Sequence, residues 1–129
     1  MIDVHTGKAK KNAFRITKKR NIIASRVRVP GGLCTAEELA AVSDIAKEYG
    51  NGKVHLTTRQ GFEIEGISIE DMDKVNERLQ PIIENLEINQ VDSNTGYPAS
   101  GTRNIVACIG NEVCPFANYN TTNFAKRVE

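Results

Sequence analysis

Alternating hydrophobic and polar residues over 22–29 predict a β-strand that ends at a Pro-Gly-Gly turn, residues 30–32. A period of two separates the side chains of a strand into two faces. One face would be apolar and suited to a core, and the other would be basic and suited to anions. The apolar set is Ile23, Val27 and Val29, and the basic set is Arg26 and Arg28.

Two later segments have helical spacing. Thr35 followed by Glu38 is a capping box, and Gly50 supplies a stop. Ser68 is expected to cap the second helix, and Pro81 to kink or end it. The inward positions are Leu39, Val42, Ile45, Ala46 and Tyr49 in the first helix and Met72, Val75, Leu79 and Ile82 or Ile83 in the second.

The remaining elements complete a fold prediction. Residues 54–58 and 62–67 are two short strands joined by a tight Arg-Gln-Gly hairpin, and residues 103–108 are expected to return as a last strand. A polar connection, residues 87–101, precedes that strand, and a helix is expected from about Thr121. The order βαββαβ is that of the ferredoxin-like split βαβ fold, an α+β class. This architecture hosts many activities, so it leaves function open.

Composition is that of an ordinary soluble domain, with 40% hydrophobic and 26% charged residues in a chain of 129. No apolar run approaches the roughly 18–20 residues of a membrane helix, and the lysine-rich start lacks an apolar signal stretch. We therefore expect no membrane span and a cytoplasmic location.

Charge is unevenly distributed although the net charge is only +1. Residues 1–28 hold nine Lys or Arg residues against a single acid, Asp3. The segment 1–20 is thus a basic arm. It could be a solvated tail, or it could contact nucleic acid, an acidic partner or an anionic cofactor.

Two groups of residues carry candidate chemistry. Cys108 and Cys114 are separated by five residues in a Gly-containing loop, whereas Cys34 lies beside the first helix cap and is interpreted as structural. Thiolates ligate iron–sulfur clusters, but four are normally required. The alternative is that both cysteines are simply buried and share a loop by chance. Arginines stand beside three predicted turns or strand ends, where they could bind an oxyanion or simply be solvated. These are Arg28, Arg59 and Arg103.

Three motifs in order resemble the nitrite and sulfite reductase family, and within it the single-repeat type found in anaerobic sulfite reductases of bacteria. They are Arg-Val-Arg-Val-Pro-Gly-Gly at 26–32, Leu-Thr-Thr-Arg-Gln-Gly at 56–61, and Arg-Asn-Ile-Val-Ala-Cys at 103–108 followed by Cys114. The resemblance implies an oxidoreductase that uses sirohaem and a [4Fe–4S] cluster for the six-electron reduction of sulfite to sulfide, or of nitrite to ammonia. Sulfite and nitrite are small oxyanions, and the family works with electron-transfer subunits.

The resemblance also implies roles for single residues. Arg28 and Arg103 would act at the oxyanion and, with Arg59, would bind sirohaem, aided by motif neighbours. Cys108 and Cys114 would be two cluster ligands. The implied cofactor-binding neighbours are Thr57, Gln60 and Asn104.

The family's second cysteine pair does not follow Cys114 in this sequence. We therefore expect the chain alone to be inactive, with both cofactors absent or incomplete. The expected division is a basic arm over 1–20, a ferredoxin-like half-domain over 21–107, and the start of the cluster and sirohaem domain over 108–129.

Two other classes of protein remain open. A non-catalytic module of the same fold could bind nucleic acid through the basic arm, but base stacking needs exposed aromatics, and Phe62 is expected in the core. A module that binds a small effector molecule would not explain arginines at three turns. The favoured prediction therefore has no nucleic-acid partner.

Overall fold

The computed structural model describes residues 14–85 and 104–128, and its centre is a four-stranded antiparallel sheet in the order β1-β2-β4-β3. β2 and β4 form the long central pair, with the short β1 and β3 at the edges. The strands are β1 Phe14–Ile16, β2 Ile22–Val27, β3 Val54–Leu56 and β4 Phe62–Ser68.

Three helices are described, and the predicted ones form where their patterns placed them. α1 spans Ala36–Glu48, α2 spans Met72–Asn85 and α3 spans Thr121–Val128. The capping box of α1 is complete: the Thr35 hydroxyl accepts from the Glu38 N–H, and the Glu38 carboxylate accepts from the Thr35 N–H. A single 3₁₀ turn, Ile69–Asp71, leads into α2.

Details at the ends of α2 differ from the expectations. Ser68 precedes the 3₁₀ turn and makes no side-chain capping bond, so the expected cap is absent. Pro81 lies inside α2 and does not end it, because the helix continues to Asn85. Leu79 and Ile82 are buried on either side of the proline, and this burial holds the helical path despite the lost backbone donor.

The core lies between the two long helices and one face of the sheet. From α1, Val42, Ile45 and Ala46 are buried, but Leu39 is 46% exposed because Glu38 takes the inward position of that turn. The strands contribute Ile23, Val27, Phe62, Ile64 and Ile67, and α2 contributes Met72, Val75, Leu79 and Ile82.

A bulge explains why Ile64 and Ile67, an odd number of residues apart, share the core face. The register steps from Ile23 opposite Ile67 to Ser25 opposite Ile64, so β4 holds one extra residue. Gly66 has φ +80° within that step, a conformation that glycine adopts without the steric penalty of other residues.

The fourth strand of the sheet is not the predicted one. Residues 104–108 form no strand in the described structure, whereas Phe14–Ile16, inside the segment expected to be an arm, pairs with β2. Phe14 is only 2% exposed, and burying this ring supplies a reason for the pairing. The described order is therefore ββαββαα, and the predicted α+β class is confirmed. The start of the basic arm, residues 1–13, lies outside the described residues.

Candidate functional site

The three motifs meet at one end of the sheet. β2 runs into a 3₁₀ turn, Pro30–Gly32, beside the hairpin that joins β3 to β4. Residues 104–108 run past both, and the Gly31 N–H donates to the Ile105 carbonyl over 2.9 Å. Motifs far apart in sequence are thus neighbours in space.

Asn104 connects two of these motifs through its side-chain amide. Its Oδ1 accepts from the Val29 N–H at 2.9 Å, and its Nδ2 donates to the Val29 carbonyl at 3.0 Å. The same Nδ2 donates to the Arg59 carbonyl. Asn104 is 9% exposed, so these bonds satisfy backbone groups that water cannot easily reach.

The hairpin turn presents Gln60 toward the same segment. The Gln60 N–H donates to the Thr57 carbonyl at 3.0 Å, and the Gly61 N–H donates to the Thr57 hydroxyl at 3.1 Å. Gln60 itself has φ +63°, in the left-handed region. That conformation costs a non-glycine residue about 1 kcal/mol. Thr57 thus has a structural role in the turn, and its expected contact with a cofactor stays a prediction.

Both functional groups of the Gln60 amide engage Ala107. Nε2 donates to the Ala107 carbonyl at 2.9 Å, and Oε1 accepts from the Ala107 N–H at 3.1 Å. Ala107 directly precedes Cys108. The expected cofactor contacts of Gln60 and Asn104 stay predictions, and the structure adds that both amides already hold the backbone.

The arginines differ in their surroundings. Arg28 is 6% exposed, whereas Arg59 is exposed on the hairpin. Arg26 points to the charged face of the sheet, where its Nε lies 3.3 Å from Glu63 of the neighbouring strand. Arg103 lies outside the described residues, and its expected role stays a prediction. Since Val29 follows Arg28 and Asn104 follows Arg103 in the chain, the Asn104 amide joins backbone at or next to all three arginine positions.

Cys108 begins a tight loop. Its carbonyl accepts from the Thr121 hydroxyl at 2.7 Å, and the Cys114 N–H donates to the Gly110 carbonyl at 2.9 Å. The Thr121 hydroxyl, followed by the Gly110 N–H, lowers the pKa of the exposed Cys108 thiol. The hydroxyl has one proton, so it must turn from the carbonyl to donate to the thiolate. Its oxygen is 3.5 Å from Sγ.

α3 fixes this loop against the β2 turn. Asn120 caps the helix by accepting from the Asn123 N–H at 3.0 Å. A Cβ at Gly31 would lie 3.4 Å from the Cβ of Ala125, so the helix sits directly on that glycine. On the other side of the turn, a Cβ at Gly32 would lie 2.9 Å from the Cβ of Gln60. The two glycines of the first motif therefore leave room for α3 on one side and for Gln60 of the second motif on the other.

The donor set fits half of a cluster site. All three cysteines are free thiols, and Cys108 and Cys114 lie in one loop, with Cys108 exposed. Within residues 14–85 and 104–128 no group of three or more His, Cys, Asp or Glu side chains could hold a metal ion. Two thiols would therefore supply half of the four ligands a cluster needs. The cationic Arg28 and Arg59 fit the carboxylates of a sirohaem.

Cys34 lies outside this site, as expected. It packs against the core between the β2 turn and α1. Burial, and then the negative charge of Glu38, raise the pKa of its thiol. A neutral, partly buried thiol is a poor nucleophile and a poor metal ligand.

The cysteine segment is unusually apolar at its surface. Seven large hydrophobic side chains between residues 106 and 128 are more than half exposed, and Phe116 is 89% exposed. They are Val106, Ile109, Val113, Phe116, Tyr119, Phe124 and Val128. By contrast, both aromatic residues of the described strands, Phe14 and Phe62, are buried, so these strands offer no platform for stacking bases.

Sequence reasoning missed the parts played by Asn104 and Thr121 in building the site. An asparagine directly after an arginine, at the start of an apolar run, was the available signal for the first. Nothing in the sequence pattern pointed to the second, since a threonine at the start of a helix is common.

Fold and site together define a ferredoxin-like half-domain that leads into a cysteine loop. A family model described as the nitrite/sulfite reductase ferredoxin-like half-domain matches residues 15–82. The chain is 46% identical, over 99% of its length, to one of the subunits of the anaerobic sulfite reductase of Salmonella typhimurium. It therefore belongs to the nitrite/sulfite reductase family.

Two other relatives match different shares of the chain. An uncharacterized protein of Methanocaldococcus jannaschii is 30% identical over 89% of the chain. The sulfite reductase [NADPH] hemoprotein beta-component of Staphylococcus saprophyticus is 57% identical over 33% of it. The chain spans 40% of the length of the Salmonella relative and 38% of the Methanocaldococcus protein. In the described part of the chain, no helix has the length and apolarity to cross a bilayer.

Proposed function

We propose that this chain supplies the oxyanion- and sirohaem-facing half-domain, and the first cysteine pair, of a sirohaem- and [4Fe–4S]-dependent sulfite reductase. The observation that carries the proposal is the Asn104 amide, which joins the backbone at Val29 and Arg59 and leads through Ala107 to Cys108. Arginines next to a thiolate loop suit a cofactor that combines carboxylates with a cluster. Sulfite is favoured over nitrite because the Salmonella and Staphylococcus relatives are sulfite reductase proteins.

The arginines would bind and orient anions. Guanidinium groups remain charged at any working pH and present paired donors to carboxylate or sulfite oxygens. Arg28 is largely withdrawn from solvent, where a charge–anion contact is screened less than at the surface. Arg59 on the exposed hairpin suits the cofactor's peripheral carboxylates. Arg103, like Arg28, would act at the oxyanion.

Electron and proton supply would come partly from outside these residues. When bound, the cluster and sirohaem would relay electrons from the electron-transfer subunits, and six electrons with six protons convert hydrogen sulfite to hydrosulfide and three water molecules. This chain's own residues would hold the anion, stabilise charge on departing oxygens and position two thiolates. With only two cysteines in the loop, the chain alone would be inactive, and electron-transfer subunits would serve the whole protein.

A chimera tests the proposal directly. Residues 1–129 replace the matching part of the Salmonella relative, and the product is reconstituted anaerobically with iron, sulfide and sirohaem. We expect visible absorption from both cofactors and sulfite reduction driven by reduced methyl viologen. Arg28→Lys and Arg59→Ala should each lower kcat/KM for sulfite, by about 100-fold if the lost contact forms in the transition state.

Arg26→Ala is the matched control, because Arg26 is an exposed arginine of the same strand that pairs with Glu63. It should leave sulfite reduction within about two-fold. The proposal fails if the chimera folds and binds neither cofactor, or if all three arginine variants lose activity equally. Cofactor uptake with nitrite reduction only would overturn the choice of sulfite.

A further inference from the structure

Gln60 in the β3–β4 hairpin has a backbone conformation that favours glycine and a side chain that glycine could not replace. Gln60 has φ +63° at a turn position that glycine would occupy without steric cost. Its side chain, however, exchanges two hydrogen bonds with the backbone of Ala107, 47 residues away in the chain. Glycine would relieve the backbone and lose both bonds.

We propose that Gln60 is a positioning residue that fixes Cys108 relative to the Arg59 hairpin. Its amide takes the place of a neighbouring strand, since it meets the N–H and the carbonyl of Ala107 as a paired residue would. Cys108 follows at once and is held from the other side by Thr121. Cys108 is thus held on one side by Gln60, through Ala107, and on the other side by Thr121 at the start of α3.

Gln60 is exposed, and the turn of the first motif lies against one side of it at Gly32. Gly32 leaves no room for a Cβ, because one would lie 2.9 Å from the Cβ and 3.1 Å from the Cδ of Gln60. A side chain at position 32 would therefore displace Gln60 from the place where it makes its two bonds. The turn glycine of the first motif and the glutamine of the second therefore work as one unit on the third.

Hydrogen exchange in the 129-residue chain tests whether Gln60 holds Ala107. The Gln60→Gly variant should exchange the Ala107 amide about five-fold faster or more, because a lost bond of about 1 kcal/mol corresponds to that factor. Gln60→Asn tolerates the left-handed backbone but is one methylene too short, so it should behave in the same way. Alkylation of Cys108 should change in both variants while that of Cys34 does not.

Asn21→Gly is the matched control. Asn21 also has a left-handed backbone, φ +59°, in the turn that joins β1 to β2, away from Ala107. Its replacement should leave Ala107 exchange within about two-fold. Unchanged Ala107 exchange in both Gln60 variants, or equal acceleration in Asn21→Gly, overturns the proposal.

A second measurement tests whether Gln60 also affects a bound cluster, and it rests on the proposed function. In the cofactor-loaded chimera, Gln60→Gly should shift the electron paramagnetic resonance signal of the cluster, whereas Asn21→Gly should not. If the chimera binds no cluster, the proposed function fails and the exchange result still stands. If the cluster forms and its signal is unchanged, Gln60 does not position the ligand.

Discussion

Asn104 and Val29 pair as residues of adjacent strands do, although no strand passes through Asn104. The two hydrogen bonds, of 2.9 and 3.0 Å, come from the side-chain amide of one and the backbone of the other. An amide side chain has the same donor and acceptor as a peptide group, so it can end a sheet where a backbone does not. At this site the Asn104 side chain thus takes the place of a strand backbone.

Replacing Asn104 by alanine should destabilise the chain. The change leaves the Val29 N–H and carbonyl without their partner, and we expect a loss of about 2–4 kcal/mol in the free energy of unfolding. Asn104→Asp keeps an acceptor for the N–H but sets a carboxylate against two carbonyl oxygens, so it should be at least as harmful. Urea unfolding followed by circular dichroism measures both. A loss below about 0.5 kcal/mol in both variants would show that these bonds do not stabilise the fold.

Gly32→Ala should disturb the site as well as the turn. Gly32 has φ +72°, and a new Cβ would displace Gln60, which lies within 2.9 Å. Gly52→Ala is the matched control, because Gly52 has φ +81° but nothing within 4 Å of the added atom. We expect Gly52→Ala to cost about 1 kcal/mol and Gly32→Ala clearly more, with faster exchange at Ala107. Equal costs and equal exchange would show that Gln60 moves aside freely.

The reactivity of Cys34 should depend on the charge of Glu38. Because the pKa of this thiol is raised, alkylation at about pH 8 should be slower than for an ordinary thiol. Glu38→Gln removes the charge while keeping an oxygen for the capping box, so the pKa should fall and alkylation should accelerate. Burial remains, so the ordinary value should not be reached.

The raised pKa of Cys34 also affects stability. A thiol whose pKa is higher in the folded state favours folding less once the unfolded thiol ionises. The free energy of unfolding should therefore decrease as the pH rises from the ordinary thiol range to the raised value. Cys34→Ser should remove this part of the pH dependence. If Glu38→Gln leaves the alkylation profile of Cys34 unchanged, the charge of Glu38 does not act on the thiol.

The exposed apolar side chains of residues 106–128 should bind a hydrophobic dye. Phe116 is 89% exposed, so Phe116→Ser should change the free energy of unfolding by less than about 0.5 kcal/mol while lowering dye fluorescence. Phe62→Ala, at a core position, should instead cost about 3–5 kcal/mol. A large loss of stability in Phe116→Ser would show that the ring packs within the chain.

The helices, the central strands and most of the core follow from local sequence pattern alone. Capping at Thr35 and Glu38 is a local interaction, and the apolar periodicity of Val42, Ile45, Val75 and Leu79 needs only one covering surface. The family could also be recognised from the sequence, because the three motifs occur in order and each contains residues that a turn or a thiolate loop requires.

The way the three motifs join depends on contacts that form only in the folded chain. An apolar run such as Ile-Val-Ala-Cys predicts a strand because pattern reports burial and β propensity, not the source of hydrogen bonds. Here Asn104 and Gln60 supply those bonds from side chains, and Phe14 takes the place at the sheet edge. Partners so far apart in sequence meet only when the chain has folded, and no local pattern encodes that meeting.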